Sequence, residues 1–330
     1  MPTGIIIAFL LLASVLAAQQ GTSPLPPAIQ LSESATTRLS VPPFSSIGSP
    51  QCDADGDLFF HISRPGITSD NTVLEISPGS SAPVLYHLGP DLVDKMSFTA
   101  FGVTPSGDVD FLDYVVDGGG LALFTFDSHG EVQNQTELSS PVHLHPTDFM
   151  MSEDGSVFLT AYFTGKAPQS EQGSLFEGVF DKSGKLREQI RPEGLQKVDL
   201  KNAPMIGNDS AAWGVDGNFY VLRPREVLVM SEGGEVVRRM AFQNPDPQAQ
   251  AMDISTAKGL VSIEFIKIEK RQPARAEYLV MEAGSGAVVA HYLPPEGTGS
   301  GIAACFLGND GYSFLAQDKK GLKVVSAELK

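Results

Sequence analysis

The 330-residue sequence predicts an all-β protein folded as a six-bladed β-propeller, with four antiparallel strands in each blade. Three observations support this architecture. A glycine turn recurs six times, a second turn of the same kind lies between most copies, and no long stretch of helical periodicity follows residue 18. The 33 Gly and 23 Pro residues supply the many turns that short strands require.

The repeated unit is a short apolar strand, a turn containing Gly, and a second apolar strand. Its first copy, residues 52–60, reads CDADGDLFF, and its third copy, residues 151–159, reads MSEDGSVFL. The glycines that mark the six copies are Gly56, Gly107, Gly155, Gly217, Gly259 and Gly311. A tight hairpin needs a residue at positive φ, and Gly adopts that conformation without strain. Each copy therefore predicts one β-hairpin.

A second hairpin is predicted between successive copies, as in residues 123–132, 179–186 and 228–236. Two hairpins make four strands, and four strands in about 40 to 60 residues are typical of a propeller blade. Six such blades account for residues 38–330 as one domain. A β-sandwich, or two smaller β-domains, is the alternative architecture for this many short strands.

The N-terminus has the pattern of an export signal. Residues 5–12 are almost continuously apolar, and Val15-Leu16-Ala17 fits the small-x-small cleavage rule. We expect a signal peptide over residues 1–18 and a periplasmic or extracellular protein. An uncleaved anchor is the alternative, because no Lys or Arg precedes the apolar run, although that run is short for a bilayer. Residues 19–37, rich in Gln, Ser, Thr and Pro, are interpreted as a linker.

The charge balance and the absence of familiar motifs limit the classes of function. A formal net charge of −16 disfavours nucleic acid and anionic membranes as partners, so we expect a soluble monomer without stable membrane insertion. The sequence contains no nucleophile elbow, phosphate loop, His-Glu-x-x-His or Cys-x-x-Cys motif. We therefore predict no cofactor.

The two cysteines leave two alternatives open. Cys52 belongs to the first blade and Cys305 to the last, and these blades are neighbours in a closed ring, so a disulfide would lock the closure. Cys52 lies four residues before its repeat glycine and Cys305 six before. Offsets of equal parity point both side chains in the same sense unless a bulge intervenes. Two buried free thiols are the alternative.

The turn pattern also separates the two faces of the ring. If the strands of a blade are labelled A to D from the axis outward, the glycine turns join A to B and C to D on one face. The other face carries the longer B–C loops and D–A connections, where binding residues concentrate. Arginine is well suited to carboxylate or phosphate. Candidate contacts for an anionic ligand in these loops are Arg64, Arg223, Arg225 and Arg271. Solvated loop charges are the alternative.

The segment His143-Leu144-His145 is the most specific local pattern of candidate ligand residues. Residues i and i+2 of an extended segment point the same way, and Asp148 follows closely. Imidazole and carboxylate groups suit zinc, so His143 and His145 are weak metal candidates; the alternative is a pair of loop histidines bonded to backbone or water. Together with Asp148, the two histidines complete the candidate ligand-binding set.

The repeated Asp-x-x-Gly units, each with its apolar strands, resemble the NHL-like and gluconolactonase-like (TolB-like) six-bladed propellers. The resemblance covers most of the chain after residue 37 and implies the fold. Such propellers host both enzymes and binding modules, so the resemblance leaves the function open.

Three functional hypotheses follow. The leading one is a non-enzymatic, exported propeller that binds a protein or a small anionic ligand on its loop-rich face. The resemblance implies an alternative, a metal-dependent, lactonase-like hydrolase with carboxylate and amide ligands at the central channel. Its candidates are Asp148, Asn202, Asn208 and Asp253, although the Glu-Gly-Pro-x-Trp-like segment of that group is absent. A purely structural role, with the rim as a docking surface, is the third.

Overall fold

A computed structural model describes residues 24–44, 46–48, 50–63, 72–86, 100–114, 120–127, 131–140, 144–164, 167–190, 211–267, 275–296, 298 and 302–328. These residues form six sheets arranged as a ring. The inner strands of successive blades are in contact all the way round, including those of the last and first blades. The predicted six-bladed β-propeller with four antiparallel strands per blade is confirmed.

The strands follow one another from the axis to the rim in each blade. The N-terminal segment holds β1 (Ile29–Gln30) and β2 (Ser32–Arg38). Blade 1 holds β3 (Ser46–Ile47), β4 (Gln51–Cys52), β5 (Leu58–Ser63), β6 (Thr72–Ile76) and β7 (Val84–Tyr86). Blade 2 holds β8 (Ala100–Val103), β9 (Val109–Tyr114), β10 (Leu121–Phe126) and β11 (Val132–Leu138). Blade 3 holds β12 (Leu144–Met151), β13 (Val157–Phe163), β14 (Leu175–Phe180) and β15 (Leu186–Ile190).

The second half of the ring repeats this order. Blade 4 holds β16 (Ala211–Trp213), β17 (Asn218–Leu222), β18 (Glu226–Ser231) and β19 (Val236–Ala241). Blade 5 holds β20 (Ala249–Ala257), β21 (Leu260–Lys267), β22 (Arg275–Glu282) and β23 (Val288–Leu293). Blade 6 holds β24 (Ile302–Phe306), β25 (Tyr312–Asp318) and β26 (Gly321–Glu328), with the 3₁₀ turn Gly308–Asp310 between the first two. Within the described residues, no helix is long and apolar enough to span a membrane.

The repeat glycines adopt the conformation that the sequence predicts. All six have φ between 75° and 109°, a region that residues with a Cβ rarely occupy. The A–B turns gather on one face of the ring, where the N–H of Ala54 in blade 1 donates to the carbonyl of Pro105 in blade 2. The turns therefore both reverse the chain and connect neighbouring blades.

The apolar core lies between the blades rather than inside one central mass. Each of six clusters joins two successive blades; the cluster between blades 1 and 2, for example, packs Phe59 against Phe101 and Phe111. A blade in the ring is covered on both faces, so its middle strands need apolar residues without alternation. Strand β13 shows this pattern, because every one of its residues is buried.

The N-terminal segment completes the last blade. Strand β2 pairs antiparallel with β26 as the outermost strand of blade 6, and β1 adds a parallel strand to the rim of blade 5. Leu31, between them, is buried in the cluster that joins blades 5 and 6. Residues 29–37, which the sequence led us to interpret as linker, thus belong to two blades of the propeller.

A disulfide between Cys52 and Cys305 also joins the last blade to the first, with the two Cα atoms 5.6 Å apart. The parity argument against it fails because the two hairpins differ. Cys52 pairs with Leu58, directly after its turn, whereas Cys305 pairs with Ser313, the second residue after its own turn. The offset from the repeat glycine therefore does not measure the same position in the two blades.

Candidate functional site

Two inner strands of the ring, β12 and β20, are built alike. In each, the first six residues are in turn buried, exposed, buried, half-buried, half-buried and buried. Each also contains a bulge, between Pro146 and Asp148 in β12 and between Ala251 and Asp253 in β20. Bulges re-aim the side chains that follow them and are over-represented next to functional sites.

The residue after the bulge is an aspartate in both strands. Each is the fifth residue of its strand; Asp148 pairs with Thr160 and Asp253 with Glu264. Both residues are half-buried and lie near the middle of their inner strands. They belong to blades 3 and 5, so the inner strand of blade 4 lies between them. The fold thus places two acidic groups at the same height on two strands beside the central channel.

A polar row runs outward from Asp148 across blade 3. Asp148, Thr160 and Glu177 are direct partners on adjacent antiparallel strands, so their side chains share one face of the sheet. Glu177 is completely buried, and both of its carboxylate oxygens accept hydrogen bonds from Nη2 of Arg223. Arg223 follows strand β17 of blade 4. The guanidinium–carboxylate pair therefore spans the junction between blades 3 and 4.

The corresponding row of blade 5 is Asp253, Glu264 and Tyr278. The hydroxyl of Tyr278 donates to Oε1 of Glu264 at 2.8 Å, and both side chains are buried. Burial, followed by the negative charge of Glu264 and the hydrogen bond to it, raises the pKa of Tyr278 well above its ordinary value. The phenol therefore stays protonated and acts as a neutral donor to the buried carboxylate.

The residues selected from sequence lie in several places. His145 is exposed on β12, opposite Tyr162, and Arg225 is exposed in the loop between β17 and β18. Arg223 is 7% exposed and has Glu177 as its partner inside the protein. The remaining candidates lie outside the described residues: His143, Arg64, Arg271, Asn202 and Asn208. Of the described residues in this set, Asp148 and Arg223 are brought to the same blade junction.

The donor set at the channel suits a hard cation. Carboxylate oxygens such as those of Asp148 and Asp253 are the ligands that Ca²⁺ prefers. Within the described ranges, no group of three or more His, Cys, Asp and Glu side chains converges closely enough to hold a metal ion. The described part of the chain thus supplies two carboxylates for such a site.

Sequence reasoning missed a hollow on the opposite face, among the turns of blades 3 and 4. It has a volume of about 290 Å³, and its lining includes Glu153, Asp154, Trp213, Val215 and Glu232. Burial and then the negative charges of Asp154 and Glu153 raise the pKa of Glu232. These acidic residues occupy ordinary turn positions of the repeat, so no local pattern distinguishes them. The hollow gathers negative charge on the turn face.

Comparison with known proteins identifies the architecture. No family model matches the chain, and no curated protein matches it in sequence. A gluconolactonase from Xanthomonas campestris matches 92% of this chain and 99% of its own, with 12% identity and a TM-score of 0.51. The calcium-binding protein regucalcin from Agrobacterium tumefaciens matches 90% and 95%, with 16% identity and a TM-score of 0.51.

The chain thus shares the six-bladed propeller fold of these proteins. A putative gluconolactonase aligns over 90% of this chain and 94% of its own, with 13% identity and a TM-score of 0.52. At these identities the similarity concerns the fold alone. The suspected resemblance to gluconolactonase-like propellers is confirmed at the level of architecture.

Proposed function

We propose that this protein is an exported binding propeller that takes its ligand in the central channel, with Asp148 and Asp253 as the contact groups. One observation carries the proposal: the two carboxylates occupy equivalent bulged positions on the inner strands of blades 3 and 5. Two oxygen-donor carboxylates favour a divalent cation. A bound cation in turn attracts an anionic group, which is consistent with a small anionic ligand.

Two features support export. The first 18 residues have the pattern of a cleaved signal peptide. The Cys52–Cys305 disulfide belongs to the kind of bond that persists in oxidising compartments and is rare in the cytosol. Mass spectrometry of the mature protein, expressed with its own N-terminus, tests this part. We expect a chain that begins near residue 18 or 19, and a mature protein that retains Met1 would contradict the expectation.

Calorimetric titration with Ca²⁺ tests the binding site. We expect one site in the wild type and a loss of affinity of about tenfold or more in Asp148→Asn and in Asp253→Asn, because each removes one charge from the donor set. Asp55→Asn is the matched control, since Asp55 is exposed on the turn face of blade 1. The absence of heat with Ca²⁺, Mg²⁺ and Zn²⁺, or equal affinity in all variants, would reject the site.

A metal-dependent hydrolase is the second candidate function. It is favoured by the same pair of aspartates, together with a fold shared with a gluconolactonase of Xanthomonas campestris. A bound cation would polarise the carbonyl of an ester or lactone. The residues assigned to the cation are Asp148 and Asp253.

An assay of sugar-lactone hydrolysis with added Ca²⁺ or Zn²⁺ separates the two functions. Turnover that disappears in the double variant Asp148→Asn/Asp253→Asn supports the hydrolase. Hydrolysis at the rate of the buffer, in a protein that binds the cation, rejects the hydrolase and leaves the binding module.

A further inference from the structure

The polar rows behind the two aspartates differ at their second position. In blade 3 this position is Thr160, which is 1% exposed, and its Oγ1 has no hydrogen-bond partner within the described part of the chain. The carbonyl of Thr160 accepts a hydrogen bond from Oγ1 of Thr147, the extra residue of the bulge, at 3.2 Å. The backbone at this position is therefore anchored, while the buried hydroxyl is unsatisfied. Buried polar atoms without partners are uncommon and often mark an ordered water or ion.

Blade 5 has a longer side chain at the position equivalent to Thr160. Glu264, at the position equivalent to Thr160, extends far enough to accept a hydrogen bond from Tyr278. A threonine side chain is shorter than a glutamate side chain by two heavy atoms. The shorter side chain of Thr160 therefore makes no hydrogen bond to its partner Glu177, whereas Glu264 bonds to its partner Tyr278 in blade 5.

The surroundings of the Thr160 hydroxyl are polar. Directly opposite residues on antiparallel strands have Cβ atoms about 4.5 to 5.5 Å apart, so Asp148 and Glu177 flank Thr160 on the same face of the sheet. A buried water needs two to four polar partners, and a hydroxyl between two carboxylates provides three. Arg223 fixes Glu177 from the other side of the blade junction.

We propose that Thr160 is a positioning residue of the ligand site: one buried water on its hydroxyl connects the carboxylate of Asp148 to the Glu177–Arg223 pair. The proposal rests on the function proposed above, because Asp148 is the group whose position the water fixes. In this arrangement Arg223 influences the position of Asp148 indirectly, through Glu177 and Thr160. The junction between blades 3 and 4 becomes part of the site, whereas blade 5 holds Asp253 within its own sheet.

The test compares Thr160→Val, which keeps the shape and removes the hydroxyl, with Thr160→Ser, which keeps the hydroxyl. Calorimetric titration with Ca²⁺ should show affinity reduced three- to tenfold in Thr160→Val and close to wild type in Thr160→Ser. Thr104→Val is the control for stability, because the hydroxyl of Thr104 accepts the N–H of Asp108 in a turn of blade 2, on the opposite face. It should lower the melting temperature and leave the affinity unchanged.

Two results would overturn the proposal while leaving the proposed function intact. One is equal Ca²⁺ affinity in Thr160→Val and wild type when Asp148→Asn binds weakly. The other is a crystal structure with well-ordered solvent that shows no water within hydrogen-bond distance of Oγ1 of Thr160. A wild-type protein that binds no cation at all would remove the proposed function and this inference together.

Discussion

Blades 3 and 5 each contain a buried glutamate, and the two glutamates have different partners. Each has an aspartate after the bulge of its inner strand and a buried glutamate behind it, Glu177 in one and Glu264 in the other. Glu177 is matched by the cation Arg223 from the neighbouring blade, and Glu264 by the neutral hydroxyl of Tyr278 in its own blade. The same strand register therefore accommodates two partners for a buried glutamate: a cation from the neighbouring blade, and a phenol from the same blade.

The largest loss of stability is expected in the row of blade 3, where Glu177 pairs with Arg223 of blade 4. Glu177→Gln removes the charge that pairs with the buried guanidinium of Arg223, and breaking a buried ion pair in this way costs about 3 to 5 kcal/mol. Urea unfolding at pH 7 measures the loss. Glu226→Gln is the matched control, because its pair with Arg239 at 2.8 Å is exposed and is expected to contribute at most about 1 kcal/mol. Equal losses in the two variants would show that the junction does not depend on the buried pair.

A third buried carboxylate extends the comparison to blade 2. Asp110 is 4% exposed and accepts a hydrogen bond from the hydroxyl of Thr125. Burial raises its pKa from 3.8 to about 6; the hydrogen bond opposes this shift and the charge of Asp108 adds to it. Since the folded-state pKa is the higher one, the contribution of this group to stability is complete below about pH 4 and is lost as the pH rises through 6.

Asp110→Asn should therefore stabilise the protein at pH 8. The expected gain is about 2 to 3 kcal/mol, and it should disappear as the pH falls to about 4. Unfolding by urea from pH 4 to 8, in wild type and variant, measures both quantities. A constant difference between the two proteins over this range would contradict the assignment.

The smallest loss of stability is expected in the row of blade 5, where Glu264 accepts a hydrogen bond from Tyr278 of the same blade. Tyr278→Phe removes the donor to Glu264 without removing a counter-charge, so we expect a loss of about 1 to 2 kcal/mol. Tyr292→Phe changes the same residue type in the same apolar cluster and should change stability by less than about 0.5 kcal/mol. Thermal unfolding of both variants is the measurement. A loss as large as that of Glu177→Gln would remove the distinction between the two blades.

The parts of the fold that were predictable from sequence depend on local requirements. Gly56 and the other repeat glycines reveal the hairpins because positive φ is a property of one residue and its turn. The outermost strand of blade 6 was not predictable, because β2 reads SESATTR, is mostly exposed, and has its partner strand at the far end of the chain. The turn between β24 and β25 was not predictable either. Its 3₁₀ turn moves Gly311 relative to the paired strands, so counting from Gly311 gave the wrong side-chain direction for Cys305.

The candidate site divides in the same way. Asp148 and Asp253 could be selected because they lie on inner strands, which the repeat locates. The role of Arg223 could not be foreseen, because Glu177 belongs to another blade and lies 46 residues away without any periodic relation. The unsatisfied hydroxyl of Thr160 becomes visible when blades 3 and 5 are aligned by strand pairing and the partners of each side chain are compared.

The placement of β2 sets the order in which the molecule can assemble. Its partner β26 spans Gly321–Glu328, so β2, once synthesised, must wait until the strands of all six blades have followed before it can pair. Contacts this distant in sequence slow folding, because the entropy of closing the loop is lost before the contacts form. The disulfide joins residues 253 positions apart and faces the same delay. During synthesis the exposed N-terminal strand and the unpaired edge of blade 6 must therefore be protected from other partners.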